Sequence, residues 1–457
     1  MASRLRLVPV VASVLILVAC TDVGNDPTAP RDGFAPTPTI GDESAPTSNL
    51  PNPTTRVPVE RRVVLPVDPV TLEALDGFEP IPMGDWVWAV ASSAEAYLAA
   101  WVGDDNGEAE VRLIDMARWE QVGSWPLSPG SDMFVSDEGT LYFVDYGTRS
   151  EVQRAGVGDG APSLIAELPQ RFSPWGIGHL FDGRLALFGT RSDVGENGAI
   201  AVIEIDTGAV TEIALPDVHI GKGESDLGEP WSAYLYASPV VVWDEIRSRA
   251  LVIHADGAAV SEVDLRDGSV TRHALEGEPS SAAAIQVSSA LSPDGSALHI
   301  AAVQAVVTVD DEGWSVTRAP TGVKTFDTTT WQIIAQLDAP ISGIISSPRG
   351  DRLLGWGHTT VEGESRHQVT TTGVFVLDAV DLEVLAHHQP AQADESYGPT
   401  SFSRDGALAY ASTLATTARL DVIDMTSGQI LTTMESEGEV FMVGSIGVLV
   451  ATVPLSG

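Results

Sequence analysis

The chain has 457 residues, 44% of them hydrophobic and 6% aromatic, which is enough apolar material for a large buried core. Its 63 acidic residues outnumber 25 basic ones, of which only Lys222 and Lys324 are lysines, and the formal net charge is -38. A surface this acidic repels nucleic acid and anionic membrane surfaces, so neither is an expected partner, and a single cysteine, Cys20, leaves no disulfide framework.

Residues 1–20 read MASRLRLVPVVASVLILVAC, with Arg4 and Arg6 ahead of an uncharged apolar run from Leu7 to Ala19. At 13 residues that run is too short to span a bilayer, which needs ~20. Leu17-Val18-Ala19-Cys20 resembles the lipobox of bacterial lipoproteins. In that family a dedicated peptidase cuts before the cysteine, whose thiol has already received a diacylglyceryl group. The resemblance implies a signal peptide over residues 1–19 and a lipid on Cys20. It also implies an extracytoplasmic protein, held at the outer face of the bacterial cell membrane or on the periplasmic side of an envelope membrane. An ordinary secretory signal in which Cys20 is incidental is the alternative. Without Arg4 and Arg6 the mature chain keeps 23 basic and 63 acidic residues, a net charge of 23 − 63 = -40. Residues 20–60 follow as a tether, with eight prolines among Thr, Asn, Asp and Gly and no periodic apolar pattern. As a flexible coil the tether would average roughly 35 Å end to end.

From residue 61 to residue 457 the pattern changes to short alternating apolar runs separated by polar turns. The stretch Val323 to Gly357 shows the unit most clearly. VKTFD and WQIIAQL meet across Asp327-Thr328-Thr329-Thr330, then ISGIISS and RLLGWG meet across Pro348-Arg349-Gly350-Asp351. Period-two alternation bounded by Gly, Pro, Asp and Thr predicts strand, turn, strand. A recurring unit of four antiparallel strands predicts an all-β propeller of four-stranded blades. Two turn signals mark each unit. The turn between the third and fourth strands (c–d) follows an apolar run ending in Asp, at Asp68, Asp115, Asp206, Asp264, Asp327, Asp378 and Asp424, with a degenerate copy near Gly158. The turn between the first and second strands (a–b) is carried by segments such as Ser136-Asp137-Glu138-Gly139, Ser292-Pro293-Asp294-Gly295 and Ser403-Arg404-Asp405-Gly406, with weaker copies at Ser92 and at Gly444. Both signals count eight blades. Residues 61–82 hold a c–d pair without a preceding a–b pair, and residues 438–454 hold an a–b pair without a following c–d pair. Joining them closes the ring and removes its exposed edges. Seven blades is the alternative, if Asp68 belongs to an N-terminal appendage.

The SPDG of Ser292–Gly295, the SPRG of Ser347–Gly350 and the turn after Val323-Lys324-Thr325-Phe326 are similar to YVTN and WD40-like propeller repeats of bacterial surface proteins. That superfamily includes lactonases and the β-chain of quinoprotein amine dehydrogenase. The resemblance covers residues 61–457 at the level of blade pattern, and the Tyr-Val-Thr-Asn tetrad itself is absent. It implies the fold and carries over no catalytic residue.

In such a blade the a–b and c–d turns share one face of the disc, and the b–c and d–a connections share the other. The first kind is tight nearly everywhere. The long segments are all of the second kind: b–c loops at 103–110, 190–199, 304–322 and 358–373, and d–a loops at 216–239 and 388–399. Long connections concentrate function, so this face is the expected binding face for a protein or small-molecule partner. His219, Lys222, Glu224, Asp226 and Trp231 form one candidate cluster there, and His358, Glu362, Glu364 and His367 another. Trp86, Asp132, Trp175 and Thr400 stand near the starts of a strands, where the central channel opens. No HExxH-like or EF-hand spacing supports a metal, and no cofactor is expected. Val443-Gly444-Ser445-Ile446-Gly447 lacks the first glycine of a nucleophile elbow, and Gly156 to Gly160 lies between strands rather than ahead of a helix. These features favour a membrane-anchored binding or scaffold module. The alternative is a propeller enzyme of lactonase-like or dehydrogenase-like type, with its site at the channel mouth.

Overall fold

Six of the c–d connections turn on a carboxylate, that of Asp68, Asp115, Asp264, Asp327, Asp378 or Asp424, which accepts hydrogen bonds from main-chain N–H groups two or three residues on. Asp68 accepts from Val70 and Thr71, Asp115 from Ala117 and Arg118, Asp327 from Thr329 and Thr330, and Asp424 from Thr426 and Ser427, all at 2.6–3.0 Å. The residue four after the Asp takes a left-handed conformation: Leu72, Trp119, Trp331 and Leu382 at φ 54–62°, and Gly268 and Gly428 at φ 76° and 69°. Where that residue is Leu or Trp, its side chain is buried, which offsets the strain of a positive φ. Asp206 is displaced from the expected position. The equivalent turn begins at Glu204, whose carbonyl accepts from Gly208, so Asp206 sits inside the turn. On the a–b side the carbonyls of Ser136, Ser292, Ser347 and Ser403 accept from the N–H of the glycine three residues on, and their hydroxyls accept from the N–H that opens the next strand.

These turns join 34 strands, β1–β34 in chain order, with no helix among the described residues. The computed structural model describes residues 60–83, 86–92, 95–103, 109–127, 132–146, 150–191, 197–219, 221–222, 236–275, 284–310, 313–363, 366–390, 396–414, 417–437, 440–443 and 448–454. The expected signal peptide and tether, and the turn at Gly444–Gly447, lie outside them.

The strands form an all-antiparallel β-propeller. Four-stranded meanders run from β3 (Trp86–Ala91) to β6 (Glu120–Pro126), from β7 (Met133–Val135) to β10 (Ser163–Glu167), and from β11 (Phe172–Phe181) to β14 (Val210–His219). Others run from β17 (Val240–Asp244) to β20 (Val270–Ala274) and from β29 (Ser396–Phe402) to β32 (Ile430–Glu437). A further four-stranded sheet is made from both ends of the chain. β1 (Glu60–Pro66) pairs β34 (Val448–Pro454) from Glu60↔Pro454 to Pro66↔Val448, with β2 (Ile81–Pro82) and β33 (Val440–Val443) outside them. The expected closure by the two unmatched half-units is therefore formed.

Apolar clusters between successive sheets hold the ring. Val64 and Met83 of the closing sheet meet Leu98, Ala100 and Ile114, while Ala99 and Leu113 meet Met133, Leu141 and Phe143. The series continues sheet by sheet until Tyr410, Leu420 and Val422 meet Val440 and Met442, back at the closing sheet. Middle strands are covered on both faces, so RALVI of β18 (Arg249–Ile253) is buried at every residue. On the turn face Arg249 staples two sheets. Its Nε donates to Asp244 at 2.8 Å and its Nη1 to Glu262 at 2.6 Å, and its Nη2 reaches the Gly295 carbonyl and Thr328 Oγ1 on the next sheet.

One sheet departs from the plain pattern. The meanders β21 (Ala284–Leu291), β22 (Ala297–Asp310), β23 (Gly313–Asp327), β24 (Ile333–Leu337) and β25 (Gly343–Ser346), β26 (Arg352–Gly363), β27 (Arg366–Asp378), β28 (Val384–His388) belong to a single eight-stranded sheet. Segments 304–322 and 358–373, expected as b–c loops, are strand for most of their length. β26 continues seven residues past Trp356, its last residue paired with β25, an extension of about 23 Å. The two b–c hairpins then pair with each other, β23 to β26, from Ser315↔Gly363 to Arg318↔Thr360. The result is a four-stranded ribbon. Both hairpins carry a register shift near its base, at Ala301/Val303 and Gly357/His358. Both also use a glycine at φ +90°, Gly322 and Gly373, whose Cα packs against the last carbonyl of the fourth strand. A Cβ would lie 2.3 Å from the Leu337 oxygen in the first case and 2.2 Å from the His388 oxygen in the second, so only glycine fits without a shift.

Candidate functional site

The face of long connections presents three groups of side chains. At the channel mouth, Asp132 stands immediately before the innermost strand β7. Tyr146, which ends β8 (Thr140–Tyr146), places its hydroxyl 3.2 Å from Asp132 Oδ2 and 3.3 Å from the carbonyl of Pro174 on β11. Burial pushes the Asp132 carboxyl up to about 6, against which the Tyr146 hydrogen bond acts only partly. Burial and the neighbouring carboxylate push the Tyr146 phenol up as well. The Tyr146 hydroxyl has one proton for these two acceptors and must divide it between them. With Asp132 ionised, its carboxylate and the Pro174 carbonyl compete for that proton. With Asp132 protonated, its O–H donates to the Tyr146 oxygen and leaves the phenol for Pro174. Trp175, next to Pro174 in sequence, is partly buried edge-on against Phe188 at 6.2 Å between ring centres, in the core between sheets. Trp86 opens β3 opposite Gly103, and Thr400 lies in β29 opposite Ala411.

The second group is thinner. His219 ends β14, is exposed, and holds Asn197 Oδ1 at 3.0 Å through Nδ1. Lys222 lies in β15 (Gly221–Lys222), which pairs β16 (Tyr236–Ala237). Glu224, Asp226 and Trp231 lie outside the described residues.

The third group is the ribbon. By register, Ala305, Val307, Val316, Arg318, His358, Thr360 and Glu362 share the face turned toward the disc, where Ala305 and Val307 pack with Ala255. Arg318 Nη1 binds Glu362 Oε2 at 2.8 Å, joining the two hairpins through a half-buried ion pair. Desolvation holds the His358 imidazole below its ordinary range and therefore neutral, and its Nδ1 and the Thr360 hydroxyl are buried without hydrogen-bond partners. Glu362 pairs with His367 across the β26–β27 backbone, and Glu364 lies outside the described residues. Among the described residues, no three His, Cys, Asp or Glu side chains are placed to hold a metal ion.

Sequence reading missed Arg318, Tyr146 and a network in the last meander. There the fully buried Asp421 accepts from Arg419, Tyr397 and Thr433 at 2.7–3.1 Å. Arg419 and Asp421 are two apart on one strand, and that spacing is a legible signal. The Tyr146 contact spans separate connections and has no local signature.

No protein-family model matches the chain, and no curated protein matches it. Solved structures align with it at low identity. BamB from Moraxella catarrhalis is 12% identical over 86% of this chain and 99% of its own, with a TM-score of 0.45. Sqt1 from Chaetomium thermophilum, solved bound to the N-terminus of ribosomal protein L10, is 13% identical over 80% of this chain and 96% of its own, with a TM-score of 0.48. An oligogalacturonate lyase in complex with manganese is 15% identical over 80% of this chain and 88% of its own, with a TM-score of 0.46. The likeness is one of fold, and it assigns this chain no ligand and no activity.

Proposed function

We propose that the protein is a lipid-anchored extracytoplasmic propeller that binds a protein or small ligand on its long-connection face. The asymmetry of the two faces carries this reading. One face is closed by tight Asp and Ser turns, whereas the other has been built out into a four-stranded ribbon. We count the ring as eight blades. Six four-stranded sheets and the two meanders within the eight-stranded sheet support that count. Anchoring rests on Cys20, since a diacylglyceryl group with an added acyl chain gives stable attachment at ~0.8 kcal/mol per buried methylene.

The test has two arms. Cys20→Ser should release the protein from the membrane fraction, and partitioning unchanged from wild type would remove the anchor. Photo-crosslinkers placed in cells at Thr308 and His219 should capture a partner, while those at Asp182 and Asp267 on the turn face should not. Capture only on the turn face would refute the assignment. One observation favours the enzyme alternative: the Asp132 carboxyl, with its raised proton affinity, stands beside Tyr146 at the channel mouth. Lactone hydrolysis lost in Asp132→Asn would establish that alternative.

A further inference from the structure

We propose that the long-connection face docks a basic extracytoplasmic part of a protein embedded in the same membrane that holds the Cys20 lipid. This inference rests on the anchor and binding-face readings, and names the kind of partner and where it stands. The point at which the chain enters the ring carries it. β1 is the third strand of the closing sheet, and its last residue, Pro66, leads into the Asp68 turn on the turn face. Its first residue, Glu60, pairs Pro454 at the opposite end, on the long-connection side. The link to Cys20 therefore leaves from the rim of the long-connection face. β1 spans about 20 Å, so presenting the turn face to the membrane would draw that link back over the whole thickness of the ring. Cys20 and Glu60 are 40 positions apart, and a coil of that length averages only roughly 35 Å.

Charge selects the occupant. The long segments 103–110, 190–199, 216–239, 304–322, 358–373 and 388–399 hold 17 acidic and four basic residues in sequence. An anionic lipid surface repels such a face, and a second copy of the chain brings the same negative charge. That repulsion holds the ring off the lipid with its point of attachment turned toward it. A basic protein segment standing out from the membrane brings the opposite sign. Holding both proteins on one membrane makes their encounter local, at an effective concentration set by the link from Cys20. The ribbon, fixed by the pairing of β23 with β26, offers the partner a preformed surface, so little ordering entropy remains to be lost on binding.

The test uses the full lipidated chain on vesicles of phosphatidylethanolamine and phosphatidylglycerol. With the lipid on Cys20, an introduced cysteine is the sole free thiol and takes a donor dye. Energy transfer to acceptor-labelled lipid headgroups should be stronger from Thr308→Cys and His219→Cys than from Glu138→Cys and Asp267→Cys, all four positions being exposed. Equal transfer from the two faces, or stronger transfer from the turn face, would overturn the proposal, while continued attachment to the vesicles would leave the anchor standing. The partner's chemistry is read with a transmembrane peptide in the same vesicles that carries a lysine–serine segment outside. Photo-crosslinkers at Thr308 and His219 should capture it, those at Glu138 and Asp267 should not, and the glutamate–serine counterpart should escape both. Doubling the length between Cys20 and Glu60 with Gly and Ser should lower capture about threefold. Equal capture of the two peptides would overturn the proposal, and so would capture of lipid in place of the lysine–serine segment, which would make the membrane surface the occupant. Either result, obtained on the long-connection face, would leave the binding-face reading standing, whereas capture confined to the turn face would remove both.

Discussion

Replacing Gly373 with alanine tests the joint on which the ribbon is bent. The residue sits at φ +90°, and an added Cβ would lie 2.2 Å from the His388 oxygen and 3.0 Å from its carbonyl carbon. Two costs arise. An L-residue at positive φ costs about 1–2 kcal/mol, and moving a strand-end carbonyl aside adds roughly another 2 kcal/mol of strain. Gly158 separates them, since it lies at φ +84° and a Cβ added there would meet no atom within 4 Å. Gly158→Ala should therefore show the conformational cost alone, and Gly373→Ala both. Over the ring an unfolding entropy of ~2.1 cal/mol/K per residue corresponds to about 0.8 kcal/mol per kelvin. Gly373→Ala should then melt about 2–3 °C below Gly158→Ala by calorimetry, with Gly322→Ala close to Gly373→Ala because its Cβ would meet the Leu337 oxygen at 2.3 Å. Equal melting temperatures for Gly158→Ala and Gly373→Ala would refute the reasoning, because the carbonyl contact would then impose no cost.

Three further outcomes follow from buried charge. Asp132 binds its proton more tightly folded than unfolded, at about 6 against 3.8, so its contribution is greatest below 3.8 and is lost as the pH rises through 6. Asp132→Asn should raise the melting temperature at pH 8, by up to about 3 kcal/mol of stability, with the gain vanishing toward pH 4; a gain independent of pH would contradict the assignment. His299 is buried and held near 4 against an ordinary 6.5, so its stabilising neutrality is lost as the pH falls from 6.5 toward 4. His299→Gln should flatten the stability profile across that window in denaturant titrations, and an unchanged slope would count against it. Arg249→Ala leaves Asp244, 2% exposed, with Arg247 as its remaining cation, and should cost about 3–5 kcal/mol in urea unfolding; a loss under ~1 kcal/mol would show that the staple is dispensable.

Local chemistry was legible in the sequence because it is written within a few residues. Asp327 and Thr330 make their turn by themselves, Ser292 and Gly295 make theirs, and alternation sets which side chains of VVLP or LLGWG face a neighbouring sheet. Closure was legible too, since a c–d pair and an a–b pair left over at opposite ends have only each other to cover their edges. Asp206 was misplaced by two residues because Glu204 offers the turn a carbonyl as readily as any Asp, and the glycine at 208 was the better marker. The ribbon could not be read in this way. The second hairpin resembles a polar loop because Thr359, Thr360, Glu362 and Gln368 stand where a buried sheet would have Val and Leu, and the pairing that orders both hairpins joins Arg318 to Thr360 across separate blades. The candidate sites divide along the same line. Sequence put His358 and Glu362 in one b–c loop, but only the approach of two hairpins gave Glu362 its Arg318 and left the buried Nδ1 of His358 without a partner. Likewise, only the packing of one sheet against the next set Tyr146 between Asp132 and the Pro174 carbonyl, because burial and charge proximity are properties of the assembled ring and not of any short stretch of chain.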